Sequence, residues 1–393
     1  MTDKTRRLVC VALGAVLAAG AVTAMSGRAW AGPVTRSSGP PAYQLLDLGD
    51  LGGSTTPLDM NDRDQVVGFS AGHPFLWDGR MKRLPTLGGL RGRAEAINEQ
   101  GVVAGAAATR AGPWHASLWR DGRITDLGTL GGASSEAVAL NGHGQVAGWS
   151  LTTDGETHPF LWQDGVMTDL GRSGEQYTIA GIDDRGDVVG SASSGTGAQF
   201  SVRAVLWRPG HEVELAPGTD SRAVAVNGPG QVVVNAFSGG SGRAFLWADG
   251  TLTDLGTLGG ADTVAAAINR RGEVVGRSGR AAFRWRDGVM RMLPNPPHRF
   301  ASAARINDVG LVIGTSANFI DKGRSVVLWR DGEVIELGPF PPQGLVLLTP
   351  VAVDSRGRVL AGWEQLEDGD YGYARGFLWT ERPPAGTAPN LGR

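Results

Sequence analysis

The stretch that decides the fold covers residues 244–260 and reads AFLWADGTLTDLGTLGG. Its F-L-W triplet alternates, so Phe245 and Trp247 lie on one face of a strand and Leu246 on the other. The pair Asp249-Gly250 stands between two apolar runs, which is a strong hairpin signal. The stretch therefore predicts two antiparallel strands, the second of which ends in the segment D-L-G-T-L-G-G.

The same pattern returns along the chain, and one tryptophan marks each copy. The spacing between successive tryptophans varies from 38 to 50 residues, which is the period of propeller blades and longer than that of leucine-rich or ankyrin repeats. The recurring tryptophans are Trp77, Trp119, Trp162, Trp207, Trp247, Trp285, Trp329 and Trp379.

Each unit reads as four short strands. The first ends in Ile-Asn, as at Ile97-Asn98, and a turn of the type N-x-x-G follows, closed by Gly101. Asn opens such a turn by bonding its own backbone, and Gly closes it because that position favours positive φ. The second strand is of the V-V-G type, the third is F-L-W and the fourth ends in D-L-G. Small residues such as Ala94 and Ala96 suit an innermost strand, where the blades crowd together.

One such sheet cannot bury both of its faces, whereas copies arranged around an axis bury each sheet against the next. The recurring tryptophan is the large apolar side chain available to fill the space between blades. The sequence therefore predicts an all-β fold, a β-propeller of four-stranded blades.

The two ends of the repeat region indicate how the ring closes. Residues 43–49 form a fourth-strand segment with no F-L-W before it, and the last copy, residues 377–379, runs into a proline-rich tail with no fourth strand of its own. If the N-terminal segment supplies the missing strand of the last blade, the ring has no open edge. Counting then gives eight blades, and seven blades with one displaced copy is the alternative.

The first residues read as a targeting segment. Lys4, Arg6 and Arg7 precede an apolar run over residues 8–22, and Ala29-Trp30-Ala31 is a small-x-small cleavage signature. We therefore expect a secretory signal peptide at residues 1–31, a short linker at 32–42 and a single propeller domain at 43–393. The paired arginines leave both the general and the twin-arginine export routes open. The one cysteine, Cys10, lies inside the predicted signal, so the mature chain relies on a core without disulfides.

Charge narrows the class of partner. The predicted signal carries four basic residues and one acidic residue, so the mature chain has 33 Lys and Arg against 38 Asp and Glu, a net charge of −5. There is no basic run, and phosphate binding needs a concentrated positive surface. No later segment approaches the ~20 apolar residues of a membrane-spanning helix. We expect a secreted, extracellular monomer that binds neither nucleic acid nor membrane.

The repeat unit resembles the HAF repeat, a bacterial extracellular repeat named for a His-Ala-Phe triplet before the tryptophan. The triplet survives as His73-Pro74-Phe75, His115-Ala116-Ser117 and His158-Pro159-Phe160. The D-L-G-T-L-G-G and I-N-x-x-G elements agree with it over about residues 43–380. The resemblance implies an exported, propeller-like repeat protein and carries over no activity, cofactor or catalytic residue.

The sequence offers no catalytic or metal constellation. His73, His115 and His158 occupy one repeat position in three different blades, so they cannot share a metal, and we expect them to hydrogen-bond between blades. The carboxylates around Asp183 and Asp368 do not match the ligand spacing of a calcium loop. There is no G-x-S-x-G elbow, zinc spacing or phosphate-binding loop. We expect no catalytic residue, no metal and no cofactor.

The connections between strands predict where a ligand would bind. With the innermost strand first, the N-x-x-G and D-G turns emerge on one face of the ring, while the longer and more variable connections emerge on the other. Loops on a rigid scaffold commonly carry recognition, and exposed aromatic rings stack on sugars or anchor peptides. The alternative is that several of these rings pack onto the blade rims. Phe300 also lies in these connections. The aromatic residues that we select as candidate ligand-binding residues are Trp114, Tyr177, Phe200, Phe319, Tyr371 and Tyr373.

Two functions follow from this pattern. The first is a secreted, non-enzymatic binding or scaffold module for a glycan or an extracellular protein. The second is a propeller enzyme acting on polysaccharide, as a glycosidase or lyase, through carboxylates on the variable face. An inward-facing Asp or Glu pair beside a ligand-sized cleft at the axis would favour the enzyme.

Overall fold

The computed structural model describes residues 43–382 except 239–240, 261, 297–298, 318–323, 338–344 and 368–369. Within this part the chain forms eight four-stranded antiparallel sheets arranged in a ring, which confirms the predicted eight-bladed β-propeller and excludes the seven-bladed alternative. Apart from the three-residue 3-10 turn Gly197–Gln199, the described residues form no helix, and accordingly none of them forms a helix that could cross a membrane.

The first four blades follow each other along the chain in the predicted strand order. Strand β1 (Tyr43–Asp47) precedes them. Blade 1 contains β2 (Thr55–Met60), β3 (Val66–Ser70), β4 (His73–Trp77) and β5 (Met81–Arg83). Blade 2 contains β6 (Gly88–Ile97), β7 (Val103–Thr109), β8 (Trp114–Arg120) and β9 (Arg123–Asp126). Blade 3 contains β10 (Gly131–Leu140), β11 (Val146–Thr152), β12 (Thr157–Gln163) and β13 (Val166–Asp169). Blade 4 contains β14 (Gln176–Ile182), β15 (Val188–Ser194), β16 (Ser201–Arg208) and β17 (His211–Glu214).

The second half of the ring repeats this arrangement, and its last blade has only three strands of its own. Blade 5 contains β18 (Asp220–Val226), β19 (Val232–Ser238), β20 (Ser241–Ala248) and β21 (Thr251–Asp254). Blade 6 contains β22 (Thr263–Ile268), β23 (Val274–Ser278), β24 (Ala281–Arg286) and β25 (Val289–Met292). Blade 7 contains β26 (Phe300–Ile306), β27 (Val312–Ala317), β28 (Arg324–Arg330) and β29 (Glu333–Leu337). Blade 8 contains β30 (Leu345–Val353), β31 (Val359–Glu367) and β32 (Asp370–Glu381).

The ring closes as the sequence predicts. Strand β1 pairs antiparallel with β32, with Tyr43 opposite Glu381 and Asp47 opposite Phe377, and so supplies the outermost strand of blade 8. The first strand of each blade lies beside the first strand of the next, and β30 of blade 8 lies beside β2 of blade 1. These eight strands therefore surround the axis of the ring.

The core consists of eight apolar clusters among the described residues, each formed by two consecutive blades. Each cluster contains the recurring tryptophan of the later blade, including Trp77 of blade 1, which packs on Leu360 and Leu378 of blade 8. Seven of these indoles are at most 8% exposed, while Trp162 is half-buried. The alternation of F-L-W is also confirmed, because Phe75 and Trp77 face blade 8 whereas Leu76 faces blade 2.

The N-x-x-G turns join the blades as well as the strands. The side-chain oxygen of Asn61 accepts hydrogen bonds from the backbone N–H groups of Arg63 and Gln65, as an Asn-opened turn requires. Its side-chain nitrogen donates to the carbonyl of Asn98 in the next blade. Five further bonds of this type, 2.7 to 3.1 Å long, start from Asn98, Asn141, Asn227, Asn269 and Asn307. We call this series the asparagine belt.

The belt changes chemistry at the two turns that begin with Asp, because a carboxylate has no N–H to donate. After Asp183 of blade 4, the backbone N–H of Asp184 donates to the carbonyl of Gly228 instead. After Asp354 of blade 8, the backbone N–H of Ser355 donates to the carboxylate of Asp62 in blade 1 at 2.7 Å. Each turn thus remains bonded to the following blade.

Candidate functional site

The two faces of the ring are built differently. The turn face carries the N-x-x-G and D-G turns, which repeat from blade to blade. The loop face carries the connections between second and third strands and those between blades. The former have two residues in blade 1 and blade 6, at 71–72 and 279–280, but six in blade 4, at 195–200. Variation in chain length, and hence in shape, is therefore a property of the loop face.

Three of the candidate aromatic residues lie at the loop-face ends of strands with described side chains. Phe200 precedes β16 and is 50% exposed, and Trp114 opens β8 and is half-buried. Tyr177 lies near the start of β14 and packs in the cluster between blades 3 and 4. Trp114 belongs to blade 2 and the other two belong to blade 4, so the structure does not gather the candidates into one site.

Tyr177 packs into the rim of the blade through both its ring and its hydroxyl group. Its ring packs edge-on against Trp207 at 5.8 Å and lies 6.1 Å from the ring of His158. Its hydroxyl donates to the carbonyl of Arg172 at 2.9 Å and lies 2.9 Å from a carboxylate oxygen of Glu175. Burial and the Glu175 carboxylate raise the pKa of the hydroxyl above its ordinary value, even though the Arg172 N–H opposes this. These contacts fit the rim-packing alternative for Tyr177.

The remaining candidates cannot be placed in the same detail. Phe319 lies outside the described residues. Tyr371 and Tyr373 lie on β32 of blade 8, and their side chains are outside the described part of the chain. Their assignment as ligand-binding residues stays a prediction.

The histidines of the repeat do not act as predicted in two of three cases. His115 and His158 bind, through Nδ1, the carboxylates of Asp126 and Asp169 in their own blades, each at 2.9 Å. Of the three, His73 is the one with a hydrogen-bond contact to the neighbouring blade, at 2.8 Å from the carbonyl of Leu90. The third and fourth strands of one blade pair with each other, which brings the D-L-G carboxylate within hydrogen-bond distance of the histidine.

The structure brings together two carboxyl groups that the sequence reasoning did not single out. Glu95 of β6 and Glu136 of β10 lie on the innermost strands of blades 2 and 3, and their carboxyl groups are close enough to change each other's pKa. Arg93 completes the group: its Nε lies 3.0 Å from a carboxylate oxygen of Glu95, and its guanidinium lies 4.8 Å from the centre of the Phe69 ring. We call Glu95 and Glu136 the axial carboxyl pair.

Burial sets the protonation of this pair. Removal from water and the negative charge of Glu95 raise the pKa of Glu136 to about 8, although the positive charge of Arg93 opposes this. Burial also raises the pKa of Glu95. Two neighbouring carboxyl groups repel each other when both are ionised, so a pKa of about 8 keeps Glu136 mostly protonated at neutral pH.

A second charged pair lies on other innermost strands. Asp59 of blade 1 accepts hydrogen bonds from the backbone N–H groups of Ile97 and Met60, both at 2.9 Å. Burial raises the pKa of Asp59 to about 6, against these hydrogen bonds and the positive charge of Arg305 in blade 7.

The axial carboxyl pair predicts that the protein loses stability as the pH rises. The pKa of Glu136 is about 8 in the fold against an ordinary value of 4.5, so the folded state holds an extra proton between these values and stability falls across this window. Each unit of pKa difference corresponds to about 1.4 kcal/mol. We therefore expect Glu136→Gln, which stays uncharged, to flatten the decline in melting temperature between pH 6 and pH 9.

The control for this measurement is Glu333→Gln, which removes an exposed carboxylate from the outermost strand of blade 7. It should leave the pH profile of the melting temperature as in the unmodified protein. A Glu136→Gln variant with an unchanged profile would show that the pair titrates as ordinary exposed carboxylates do.

A pocket with a volume of about 320 Å³ opens on the loop face between blades 6 and 7. One wall is the segment Leu258-Gly259-Gly260, the next is the two-residue turn Gly279-Arg280, and the third is the connection to blade 7. The longer side chains around it are Leu258, Arg280, Met292, Asn295, Arg299 and Phe300. Of the aromatic residues considered from the sequence, only Phe300 lies in this pocket.

Some of these residues carry a signal that sequence reasoning could have used. Glu95 and Glu136 each stand beside the small residues that are typical of the first strands, in RAEAI and SEAVAL. The repeat pattern does not require a charged residue on the innermost strand, so these glutamates are departures from the pattern. The contact between the two carboxyls depends on the stagger of neighbouring blades, which the repeat spacing does not encode.

The described residues hold no group of three or more His, Cys, Asp or Glu side chains arranged to bind a metal ion. The axial carboxyl pair offers two carboxyls only, and one of them, Glu95, is paired with Arg93. We therefore assign no metal ligand among them.

The eight sheets and the pairing of β1 with β32 define the class of this protein, an eight-bladed β-propeller closed by its N-terminal strand. No protein-family model matches the chain, and no curated protein matches it. Among solved structures, a putative TolB from Agrobacterium tumefaciens is 11% identical over 54% of this chain and 87% of its own, with a TM-score of 0.37. A gluconolactonase from Xanthomonas campestris is 14% identical over 70% of this chain and 86% of its own, with a TM-score of 0.32.

A third similar structure is an acylaminoacyl peptidase from Pyrococcus horikoshii. It is 12% identical over 79% of this chain and 57% of its own length, with a TM-score of 0.43. Similarity at this level reflects the propeller fold alone and carries no conclusion about activity.

Proposed function

We propose that this protein is a secreted, non-enzymatic binding or scaffold module, which holds a glycan or an extracellular protein on its loop face. The observation that carries the proposal is the contrast between the two faces. On the turn face, polar groups are committed to joining blades, through the asparagine belt and ion pairs such as Arg270 with Asp184. On the loop face the repeat pattern is interrupted, and exposed side chains such as Phe200 are available to a ligand.

The polysaccharide enzyme is the second candidate, and the axial carboxyl pair is the observation that bears on it. Glycosidases hold their two carboxyl groups about 5 to 5.5 Å apart when they retain configuration and about 6.5 to 9.5 Å apart when they invert it. In the axial carboxyl pair, Glu95 is instead paired with Arg93 at 3.0 Å, and its side chain is only 15% exposed. The pocket of about 320 Å³ lies between blades 6 and 7, whereas this pair belongs to blades 2 and 3. Both facts support the binding module.

A glycan array combined with mass spectrometry tests the proposal. We expect the purified protein to bind a limited set of glycans, or a defined extracellular protein, and to leave bound glycans intact. The variant Phe200→Ala, Tyr371→Ala, Tyr373→Ala should weaken this binding because it removes three rings assigned to the loop face. Val309→Ala is the matched control, since Val309 is 54% exposed on the turn face of blade 7.

Two results would count against the proposal. Release of shortened glycans by the unmodified protein, abolished in Glu136→Gln, would establish the enzyme. Binding that Val309→Ala weakens and the triple variant leaves unchanged would place recognition on the opposite face.

A further inference from the structure

The pocket between blades 6 and 7 has a composition that the repeat does not require. Arg280 lies in the two-residue turn between β23 and β24, at the position that Gly72 occupies in the equally short turn of blade 1. Arg299 and Phe300 come from the connection to blade 7, in a part of the chain where the D-L-G-T-L-G-G segment is replaced. Three residues outside the repeat pattern thus meet at one pocket.

Arg280 is held in a defined orientation and carries a charge that no described residue neutralises. Its guanidinium lies over the ring of Phe300, 4.7 Å from the ring centre, and its side chain is exposed. No carboxylate among the described residues lies within ion-pair distance of it. Two other arginines of blade 6 are engaged, Arg277 with Asp262 at 2.8 Å and Arg284 with Glu273 at 2.6 Å.

A guanidinium stacked on an aromatic ring is pre-organised for one kind of ligand. Its planar edge presents two parallel N–H donors, which match the two oxygens of a carboxylate. The second cation of the pocket is already in use, because Arg299 donates to Ser325 Oγ at 3.1 Å and lies 3.6 Å from a carboxylate oxygen of Glu336. One available positive charge suits a singly charged carboxylate better than a doubly charged phosphate.

The rest of the pocket is larger than a carboxylate alone would fill, and its lining combines apolar and polar side chains. Its volume of about 320 Å³ is at the lower end of the range of small-molecule sites, about 300 to 1,000 Å³. Leu258 and Met292 supply apolar surface and Asn295 a side-chain amide. The space beside the Gly259 Cα is open, with no atom within 4 Å of the position that a side chain would take. A sugar ring, which has apolar C–H patches between hydroxyl groups, matches this combination.

The geometry points to a binding site for a carboxylated sugar in this pocket, with the uronate carboxylate on Arg280 and the sugar ring between Leu258, Met292 and Asn295. This inference rests on the proposed function and specifies its ligand class and location. The ligand is a hexuronate unit, either free or within an acidic oligosaccharide.

Isothermal titration calorimetry with trigalacturonate tests the site. We expect trigalacturonate to bind, and its methyl ester and the neutral galactotriose to bind at least about tenfold more weakly, since both lack the charge that Arg280 pairs with. Arg280→Gln should weaken trigalacturonate binding by a similar factor. The control is Arg291→Gln in the same blade, which removes an equal charge from the opposite face of β25, one residue before the pocket residue Met292.

The outcomes separate this inference from the proposed function. Equal affinity for trigalacturonate and galactotriose, or full affinity in Arg280→Gln, would overturn the uronate site. If trigalacturonate fails to bind while the array captures other glycans or a protein, the site is wrong and the proposed function stands. If nothing binds in either experiment, both are wrong.

Discussion

A chain that lacks residues 43–48 is expected to lose the closure of its ring. Strand β1 is the outermost strand of blade 8, where Tyr43 is 7% exposed, and Leu48, just after it, is 3% exposed and donates its backbone N–H to the carbonyl of Gly376 at 3.1 Å. Each buried apolar side chain of this size contributes about 1.5 to 3 kcal/mol. The truncation should therefore lower the free energy of unfolding by at least about 3 kcal/mol, as measured by urea denaturation.

The same truncation should change the state of association. Without β1, strand β32 becomes an edge with unpaired backbone groups, which is a template for pairing with another chain. Light scattering after size-exclusion chromatography should show dimers or aggregates. A chain that lacks only residues 1–42 is the control and should behave as the mature protein does. Equal urea midpoints for the two truncated chains would mean that β1 does not hold the ring together.

The fold could be predicted because the same sequence pattern, with the same packing requirements, occurs in eight copies. A single F-L-W or D-G is a weak signal, but the tryptophan spacing requires sheets of one size that bury one indole each, and all eight clusters follow. Closure by the N-terminal strand could be predicted by counting strands. The last copy of the repeat has no fourth strand, and the N-terminal segment is a fourth strand without the three strands that normally precede it.

Partners of polar groups were harder to predict, because they depend on which strands lie side by side. The acid that binds His115 is Asp126, eleven residues later, and the same separation joins His158 to Asp169 and Arg243 to Asp254. This constant spacing is visible in the sequence and would have indicated a contact within the blade. No such spacing exists for the axial carboxyl pair, which forms between two blades.

Departures from the repeat carry information of their own. In the first turn Asp64 replaces the usual glycine and has a φ of 67°. The sequence indicates a tolerated substitution, but the structure shows a further role, because the Asp64 carboxylate pairs with Arg356 and Arg358 of blade 8. The exception thus falls where the first and last blades meet, and it joins them. Arg280 is a departure of the same kind on the opposite face.

The second large effect is expected from Trp207→Ala. Trp207 is 1% exposed in the cluster between blades 3 and 4, contacts Tyr177 edge-on and donates its indole N–H to Glu212 at 3.2 Å. Truncating a buried aromatic residue to alanine costs about 3 to 5 kcal/mol, because it removes burial and leaves a cavity. We expect a loss of that size in the free energy of unfolding, measured by urea denaturation and followed by circular dichroism.

Trp162→Ala is the matched control, since Trp162 occupies the same repeat position one blade earlier but is only half-buried. Its indole still meets water along part of its surface, so less burial is lost and the cavity is open to solvent. The loss for Trp162→Ala should therefore be clearly smaller than for Trp207→Ala. If the two variants lost the same stability, the indoles would act through the hydrogen-bonded strands that carry them, and burial between blades would not be what holds the ring together.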